Sequence, residues 1–190
     1  MITEKHLMII DPAVVQPAIE SFNRIASIAP YPITYHLPAL YGTTSLGIYN
    51  SNVRGIIVMG SAASVNDNKD WENHISEIML DASAKGIPVL GLCYGHQLIG
   101  HVYGGKVAPL WSGEKKQGER MVHLKKSPLW GEATSGPLLY SHQDGITIVP
   151  PGFDVIAESD LVLTDAIVSK TEPVWGFQTH LEATQAFVDN

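Results

Sequence analysis

One stretch constrains the fold of this chain more than any other: residues 87–98, IPVLGLCYGHQL, which contain its only cysteine. Apolar residues lead to Gly91, Cys93 stands between Gly91 and Gly95, and a pattern compatible with a helix follows. A strand that turns sharply into a helix strains the residue at the turn and brings its flanks together, which requires small residues two positions before and after it. A lone cysteine in an apolar strand is more often a small buried hydrophobe. The Gly-x-Cys-x-Gly spacing instead predicts a thiol nucleophile.

The first half of the chain alternates between two periodicities. Apolar runs at residues 6–10, 33–36, 55–59 and just before Cys93 predict strands, and helical spacing after Asp11, from Trp71 and from Tyr94 predicts helices. Asp11 is expected to cap the first helix, with Pro12 at its first position, and residues 38–53 are expected to form a loop. Strands that alternate with helices predict an α/β fold, with a parallel sheet covered on both faces and functional sites at the carboxyl ends of its strands.

The second half is expected to be rich in strands. Helical periodicity stops after Lys106, and short apolar runs separated by Gly and Pro predict strands at residues 121–124, 138–140, 146–149, 154–157, 161–163, 166–168 and 174–178. No linker, repeat or low-complexity segment interrupts the pattern. These strands should therefore extend the same sheet, and residues 1–190 are expected to form a single domain.

Composition excludes several classes of function. The formal charge of -7 argues against non-specific nucleic-acid binding, and no apolar run approaches the roughly 18 residues of a membrane span. One cysteine, with no signal sequence, is typical of a reducing cytoplasm, and neither zinc-ligand spacing nor a phosphate-binding glycine loop is present, so no metal or cofactor is expected. The basic stretch at residues 115–126 is interpreted either as a solvated hairpin or as a docking strip for an acidic partner.

A thiol nucleophile needs a base and a group that orients the base. His180 is the best candidate, because it follows the strand predicted at residues 174–178, whose end can face Cys93 in the same sheet. Residues i and i+2 of an extended segment point the same way, so the Glu182 carboxylate could hold the imidazole. A solvated His and Glu near the end of the chain is the alternative. His142, in the segment YSHQDG, is the second candidate base.

These residues carry a resemblance that spans nearly the whole chain. The segments IIVMGSAASVND, GLCYGHQL, SHQDG with a following Pro-Pro-Gly, and GFQTHLE resemble, in that order, class I (triad-type) glutamine amidotransferase domains, especially the glutaminase domain of GMP synthase and its free-standing relatives. The resemblance implies a flavodoxin-like, mostly parallel sheet with helices on both faces. Cys93, His180 and Glu182 match the nucleophile, the base and the acid that orients it.

The resemblance also implies further roles in the hydrolysis of the side-chain amide of glutamine. The backbone N–H groups of Ser61 and Tyr94 would form the oxyanion hole, and the Tyr94 N–H, at a helix start, would also favour the thiolate. Gln97 would grip the substrate, in a binding site completed by four further residues: Gly60, Ser141, Gln143 and Asp144. Relatives often read Gly-Gly-Pro where this chain has Gly-Ser-Ala, so Ser61 would be strained if the position required a positive φ.

The sequence is compatible with three functions. The first is a glutamine amidohydrolase, with a thioester on Cys93, whose ammonia goes to a separate synthase subunit or another acceptor. The second keeps the nucleophile but cleaves a γ-glutamyl amide or peptide without transfer of ammonia. The third is a relative that binds without catalysis, which the unusual Ser61 and Leu181 would favour.

Overall fold

A computed structural model describes residues 4–183 of the chain. Its helices are α1 (Ile19–Ile28), α2 (Pro38–Tyr41), α3 (Asp70–Ala84) and α4 (Tyr94–Val102). Its strands are β1 (His6–Ile10), β2 (Ile33–His36), β3 (Val53–Val58), β4 (Val89–Leu92), β5 (Lys106–Pro109), β6 (Lys116–Leu124), β7 (Thr134–His142), β8 (Asp144–Ile148), β9 (Phe153–Glu158), β10 (Ala166–Ser169) and β11 (Val174–Phe177).

Nine strands form one sheet in the order β2-β1-β3-β4-β11-β10-β9-β6-β7. The first five strands run parallel to their neighbours, and the remaining neighbours pair antiparallel. β5 and β8 form a separate two-stranded sheet. The predicted α/β fold with a mostly parallel sheet is confirmed. Five strands of the second half extend that sheet as expected, but the strand predicted at residues 146–149 does not, because β8 pairs with β5 instead.

Helices cover both faces of the parallel region. Met8 and Ile10 belong to a core that includes Ile75 of α3 and Leu98 of α4, whereas Ile9 packs in another cluster with Ile25 of α1. Successive strand residues point to opposite faces, so α1 lies on the face opposite α3 and α4. Because both faces are covered, the carboxyl ends of the parallel strands are the edge where loops can gather around a site.

The first helix starts later than the sequence predicted. α1 begins at Ile19, and the Asp11 carboxylate accepts hydrogen bonds from the N–H of Ala13 at 3.0 Å and of Ala18 at 2.8 Å. The Tyr35 hydroxyl donates to the same carboxylate at 2.5 Å. Asp11 therefore clamps the two ends of the loop before α1 instead of capping a helix directly after itself.

Two other local predictions were wrong. Residues 38–53, predicted as loop, contain α2 and a 3-10 helix at Thr43–Ile48. Residues 161–163, predicted as a strand, lie in a turn closed by hydrogen bonds between Ser159 and Val162, with Leu163 77% exposed. None of the helices within residues 4–183 has the length and apolar character that a membrane crossing requires.

Candidate active site

The turn between β4 and α4 has the strained geometry that its spacing predicted. Cys93 has a φ of 50°, in a region of backbone conformation that residues other than glycine rarely adopt. A Cβ on Gly91 would lie 2.3 Å from the Gly95 carbonyl oxygen, and a Cβ on Gly95 would lie 2.2 Å from the Val58 carbonyl oxygen. Both flanking glycines are therefore required for the chain to fold back on itself and against β3.

His180 reaches Cys93 because their strands are neighbours. β11 pairs in parallel with β4, and the Cys93 N–H donates to the Phe177 carbonyl at 2.8 Å. His180 follows β11 by three residues, and its N–H donates to the Leu139 carbonyl at 2.9 Å. The carboxyl ends of two adjacent parallel strands thus bring the imidazole to the thiol.

The charges around His180 favour its protonated form. Burial alone lowers the pKa of this imidazole, but the negative charge of Cys93, a hydrogen bond with Cys93 and the neighbouring Glu182 together raise the pKa to about 10. The His180 Nδ1 lies 2.8 Å from Glu182 Oε1. A protonated imidazole thus lies beside the thiol, with a carboxylate on its other ring nitrogen.

Glu182 reaches His180 through a turn and not through an extended segment. β11 ends at Phe177, and Leu181 and Glu182 lie in a turn. The Arg24 guanidinium of α1 donates to the Ala183 carbonyl at 2.9 Å and ties this turn to the rest of the chain. The predicted contact is present, but the i and i+2 argument used for it was wrong.

The loop after β3 lies directly against the pair. A Cβ on Gly60 would lie 2.7 Å from His180 Cε1 and 3.5 Å from Cys93 Cβ, so a side chain at this position has no room. Ser61 does not have a positive φ, so the strain considered for it does not arise. Its hydroxyl donates to the Pro12 carbonyl at 2.7 Å and accepts from the Ala63 N–H at 3.1 Å. These bonds hold the loop beside the thiol.

A cavity of about 460 Å³ opens onto these residues. Nine of the site residues predicted from the sequence line it: Gly60, Ser61, Cys93, Gln97, Ser141, Gln143, Asp144, His180 and Glu182. The tenth, Tyr94, is fully buried, and its hydroxyl donates to Glu72 at 3.0 Å. Its predicted contribution is the backbone N–H, which does not require its side chain to line the cavity.

Asp144 has a free acceptor at the cavity wall. Its Oδ2 accepts from the Ser64 hydroxyl at 2.7 Å, whereas its buried Oδ1 has no hydrogen-bond partner among residues 4–183. Gln97 donates from Nε2 to the Asp144 backbone carbonyl at 2.8 Å. A buried carboxylate oxygen without a donor favours a ligand with N–H groups at this position.

His142, the second candidate base, is already engaged on both ring nitrogens. Its Nδ1–H donates to the Asp144 carbonyl at 2.9 Å, and Nε2 accepts from Arg120 at 2.8 Å. Burial and the Arg120 charge lower the pKa of His142 to about 4. Arg120 also forms an ion pair with the fully buried Asp165. His142 is therefore a neutral structural group that fixes the loop from residue 141 to 144.

Arg120 also changes the interpretation of the basic stretch. β6 pairs with β7 as a hairpin, and the lysines at its end make exposed ion pairs, Lys125 with Glu158 and Lys126 with Glu132. Arg120, however, is only 6% exposed. The hairpin interpretation fits the exposed lysines, but this arginine points into the protein.

Gln178 was missed by the sequence reasoning. It is fully buried, and its Nε2 lies 3.6 Å from Cys93 Sγ, while its Oε1 accepts from Gln97 at 3.2 Å. A polar residue at the end of an apolar strand, two positions before the candidate base, was the available signal.

Comparisons with known proteins agree with this geometry. The family model for class-I glutamine amidotransferases matches residues 25–188. A GMP synthase (glutamine-hydrolysing) from Porphyromonas gingivalis is 39% identical over 134 residues, which are 70% of this chain and 25% of that protein. A second one, from Streptococcus pyogenes, is 32% identical over 77% of this chain and 28% of its own length. The chain thus spans about a quarter of the length of the curated relatives it matches.

A solved structure shares the fold at lower identity. A glutamine amidotransferase from Methylobacillus flagellatus superimposes with a TM-score of 0.74 at 23% identity, over 96% of this chain and 72% of that one. The family model covers residues 25–188, which are most of the chain. The chain belongs to the class-I glutamine amidotransferase family.

Proposed function

We propose that this protein hydrolyses the side-chain amide of glutamine through a thioester on Cys93, with His180 as acid and base and Glu182 as the group that orients it. One observation carries the proposal: a thiol at a strained turn, beside a buried imidazole whose pKa is raised to about 10 by that thiol and a carboxylate. All three residues face one cavity.

The reaction divides into two displacements. The Cys93 thiolate attacks the carboxamide carbon, and the carbonyl electron pair moves to oxygen to form a tetrahedral oxyanion. As the oxyanion collapses, the C–N bond breaks and the His180 proton passes to the departing nitrogen, which leaves as ammonia. Neutral His180 then takes a proton from water, hydroxide attacks the thioester, and glutamate leaves as the thiolate and imidazolium re-form.

Two backbone N–H groups are proposed to hold the oxyanion. Tyr94 is the first residue of α4, directly after the nucleophile, where helix N–H groups have no partner within the helix. Ser61 is anchored by Pro12 and Ala63, so its N–H stays beside the cavity without reorganisation. Loss of one such donor typically costs about 3 kcal/mol of transition-state stabilisation.

The amino and carboxylate groups of the substrate would be recognised by other residues of the cavity. The unpartnered Asp144 Oδ1 is suited to the substrate ammonium group, and the neighbouring Ser141 and Gln143 line the same cavity. Gln97 contributes from α4, and its Nε2 is already held by the Asp144 carbonyl and Gln178. The substrate ammonium group would supply a charged donor to Oδ1, the one oxygen of this carboxylate that has no hydrogen-bond partner within residues 4–183.

The ammonia is proposed to serve a partner synthase subunit or another acceptor. The relatives from P. gingivalis and S. pyogenes are named glutamine-hydrolysing GMP synthases, and this chain matches only about a quarter of each. We expect residues 1–190 to act as one glutaminase domain. Its partner synthase would correspond to the remaining part of those relatives. A pull-down for such a subunit, followed by assays with and without it, tests this step.

The test of the activity is glutamate release from glutamine by wild type and by Cys93→Ala. Wild type should release glutamate and be labelled on Cys93 by a glutamine-mimicking electrophile, and the variant should do neither. γ-Glutamyl conjugates are assayed in parallel, and a clear preference for them over glutamine would replace glutamine as the substrate. Absence of both hydrolysis and labelling in folded wild type, also with the synthase subunit present, would overturn the proposal.

A further inference from the structure

A buried network of hydrogen bonds ends at the sulfur of Cys93. We propose that Gln178 is a second donor to the thiolate, beside His180, and holds the sulfur in its reactive charge state through its Nε2–H group. The contact is the 3.6 Å approach of Gln178 Nε2 to Cys93 Sγ. The inference rests on the proposed function only in taking Cys93 as the nucleophile.

The orientation of the Gln178 amide follows from its neighbours. The Asp144 backbone carbonyl can only accept, so the Gln97 atom 2.8 Å from it must be Nε2. The same Gln97 nitrogen lies 3.2 Å from Gln178, and its remaining hydrogen needs an acceptor there. The Gln178 atom facing Gln97 is therefore Oε1, which leaves its NH₂ group facing the sulfur.

The far end of this hydrogen-bond network is a buried ion pair. The Asp144 carbonyl also accepts from His142 Nδ1–H at 2.9 Å, so His142 Nε2 has to accept from Arg120. Arg120 in turn is held by its buried ion pair with Asp165. The Asp144 carbonyl, which accepts from both His142 and Gln97, sets the orientation of the Gln97 and Gln178 amides, whereas Arg120 fixes the tautomer of His142. A flip of the Gln178 amide would bring two N–H donors together at Gln97 and turn its carbonyl oxygen towards the sulfur.

A carbonyl oxygen close to the sulfur explains why a donor is needed. The Ser141 carbonyl oxygen lies 3.7 Å from Cys93 Sγ, where it can accept from the neutral thiol but repels a thiolate. His180 stabilises the negative charge only while it carries its proton, and it gives that proton to the leaving nitrogen. An amide donor does not titrate, so Gln178 can stabilise the sulfur as a leaving group when the thioester is hydrolysed as well as before attack.

Burial strengthens this contact. Gln178 is fully buried and its backbone N–H donates to the Asp165 carbonyl at 2.8 Å, so the side chain starts from a fixed position at the end of β11. No water competes for its NH₂ group at this depth, and a hydrogen bond to a charged acceptor is stronger there than in water. A donor to an ion typically shifts its titration midpoint by about one pH unit, a tenfold change.

The test measures thiol reactivity without glutamine. Alkylation of Cys93 by iodoacetamide, the only thiol of the chain, is followed from pH 5 to pH 10 in wild type and in Gln178→Met, which keeps the side-chain length but lacks the donor. The midpoint of the rate profile should rise by about one unit, with alkylation about tenfold slower below the wild-type midpoint. Gln117→Met, the same change at an exposed position of β6, should leave the profile where it is.

The outcomes separate this inference from the proposed function. A raised midpoint without glutamine hydrolysis in wild type would support the role of Gln178 and count against the function. An unchanged midpoint in folded Gln178→Met, with normal glutamine hydrolysis in wild type, would overturn the role of Gln178 alone. Gln178→Leu replaces the methionine variant if that variant does not fold. In wild type itself, a Gln178 side-chain NH₂ resonance that does not move through the alkylation midpoint would also overturn it.

Discussion

A methyl group on Gly60 should disable the site without disturbing the fold. In Gly60→Ala the new Cβ would lie 2.7 Å from His180 Cε1, whereas 3.4 Å is the near limit of ordinary contact. The backbone of Gly60 has no positive φ, so alanine is conformationally acceptable there. The strain therefore falls on the imidazole and not on the loop conformation.

The size of the effect follows from the room around His180. Its ring has to move by about 0.7 Å, while Glu182 at 2.8 Å and the Leu139 carbonyl at 2.9 Å hold the residue from the other side. Misplacement of a reacting group by about 1 Å typically costs about 100-fold in rate. We expect kcat/KM for glutamine to fall by about 10- to 100-fold, mainly in kcat.

The assay compares glutamate release by wild type, Gly60→Ala and Gly47→Ala. Gly47 is the matched control, because a Cβ there meets nothing within 4 Å and the position is exposed. Alkylation of Cys93 at neutral pH should slow in Gly60→Ala alone, since the displaced imidazolium no longer stabilises the thiolate. Wild-type kcat/KM in Gly60→Ala, with a normal thermal melt, would refute the argument that the close contact positions His180.

Three further changes test separate parts of the structure. Glu182→Gln removes a charge that raises the pKa of His180, so His180 should lose its proton at a lower pH and the alkaline decline of hydrolysis should move down from about pH 10. The value of kcat should fall by about 10²- to 10⁴-fold, and an unchanged pH profile would contradict the orienting role. Arg120→Met leaves the buried Asp165 carboxyl without its cation, and because burial already raises the pKa of this group, it must take up a proton or stay as an unpaired charge. The free energy of unfolding in urea should fall by about 3–5 kcal/mol, a loss that Arg120→Met with Asp165→Leu should largely reverse. Asp144→Asn should raise KM for glutamine about tenfold or more with a smaller change in kcat, and an unchanged KM would remove Asp144 from the binding site.

The turn at Cys93 was predictable because its geometry is local. Five residues contain the strained apex and the two glycines that allow it, and the structure shows a Cys93 φ of 50° with no room for a Cβ at Gly91 or Gly95. The helices from Asp70 and Tyr94 were predictable for the same reason, since periodicity is a property of neighbouring residues. The pairing of Cys93 with His180, which are 87 positions apart, was predicted from two strand ends expected to meet in one sheet and from the resemblance to relatives.

The wrong local predictions share one cause. Asp11 followed by Pro12 has the pattern of a helix cap, but its carboxylate is taken by Ala18 and by Tyr35 from a neighbouring strand. Residues 161–163 have a strand-like apolar composition, but no neighbouring strand pairs with them and Leu163 stays exposed. In both cases the presence or the absence of a hydrogen-bond partner from elsewhere in the chain outweighs a local propensity worth a few tenths of a kcal/mol to about 1 kcal/mol.

By itself, the sequence determined the thiol, the sharp turn that presents it, and the alternation of strands with helices that leads to a parallel sheet. Only the tertiary structure decided what surrounds the sulfur. It turned Arg120 inward to Asp165, engaged both ring nitrogens of His142, and aimed the Gln178 amide at Cys93. Buried polar groups must find partners wherever the fold places them, and those partners come from strands distant in the sequence, so no local pattern could have identified them.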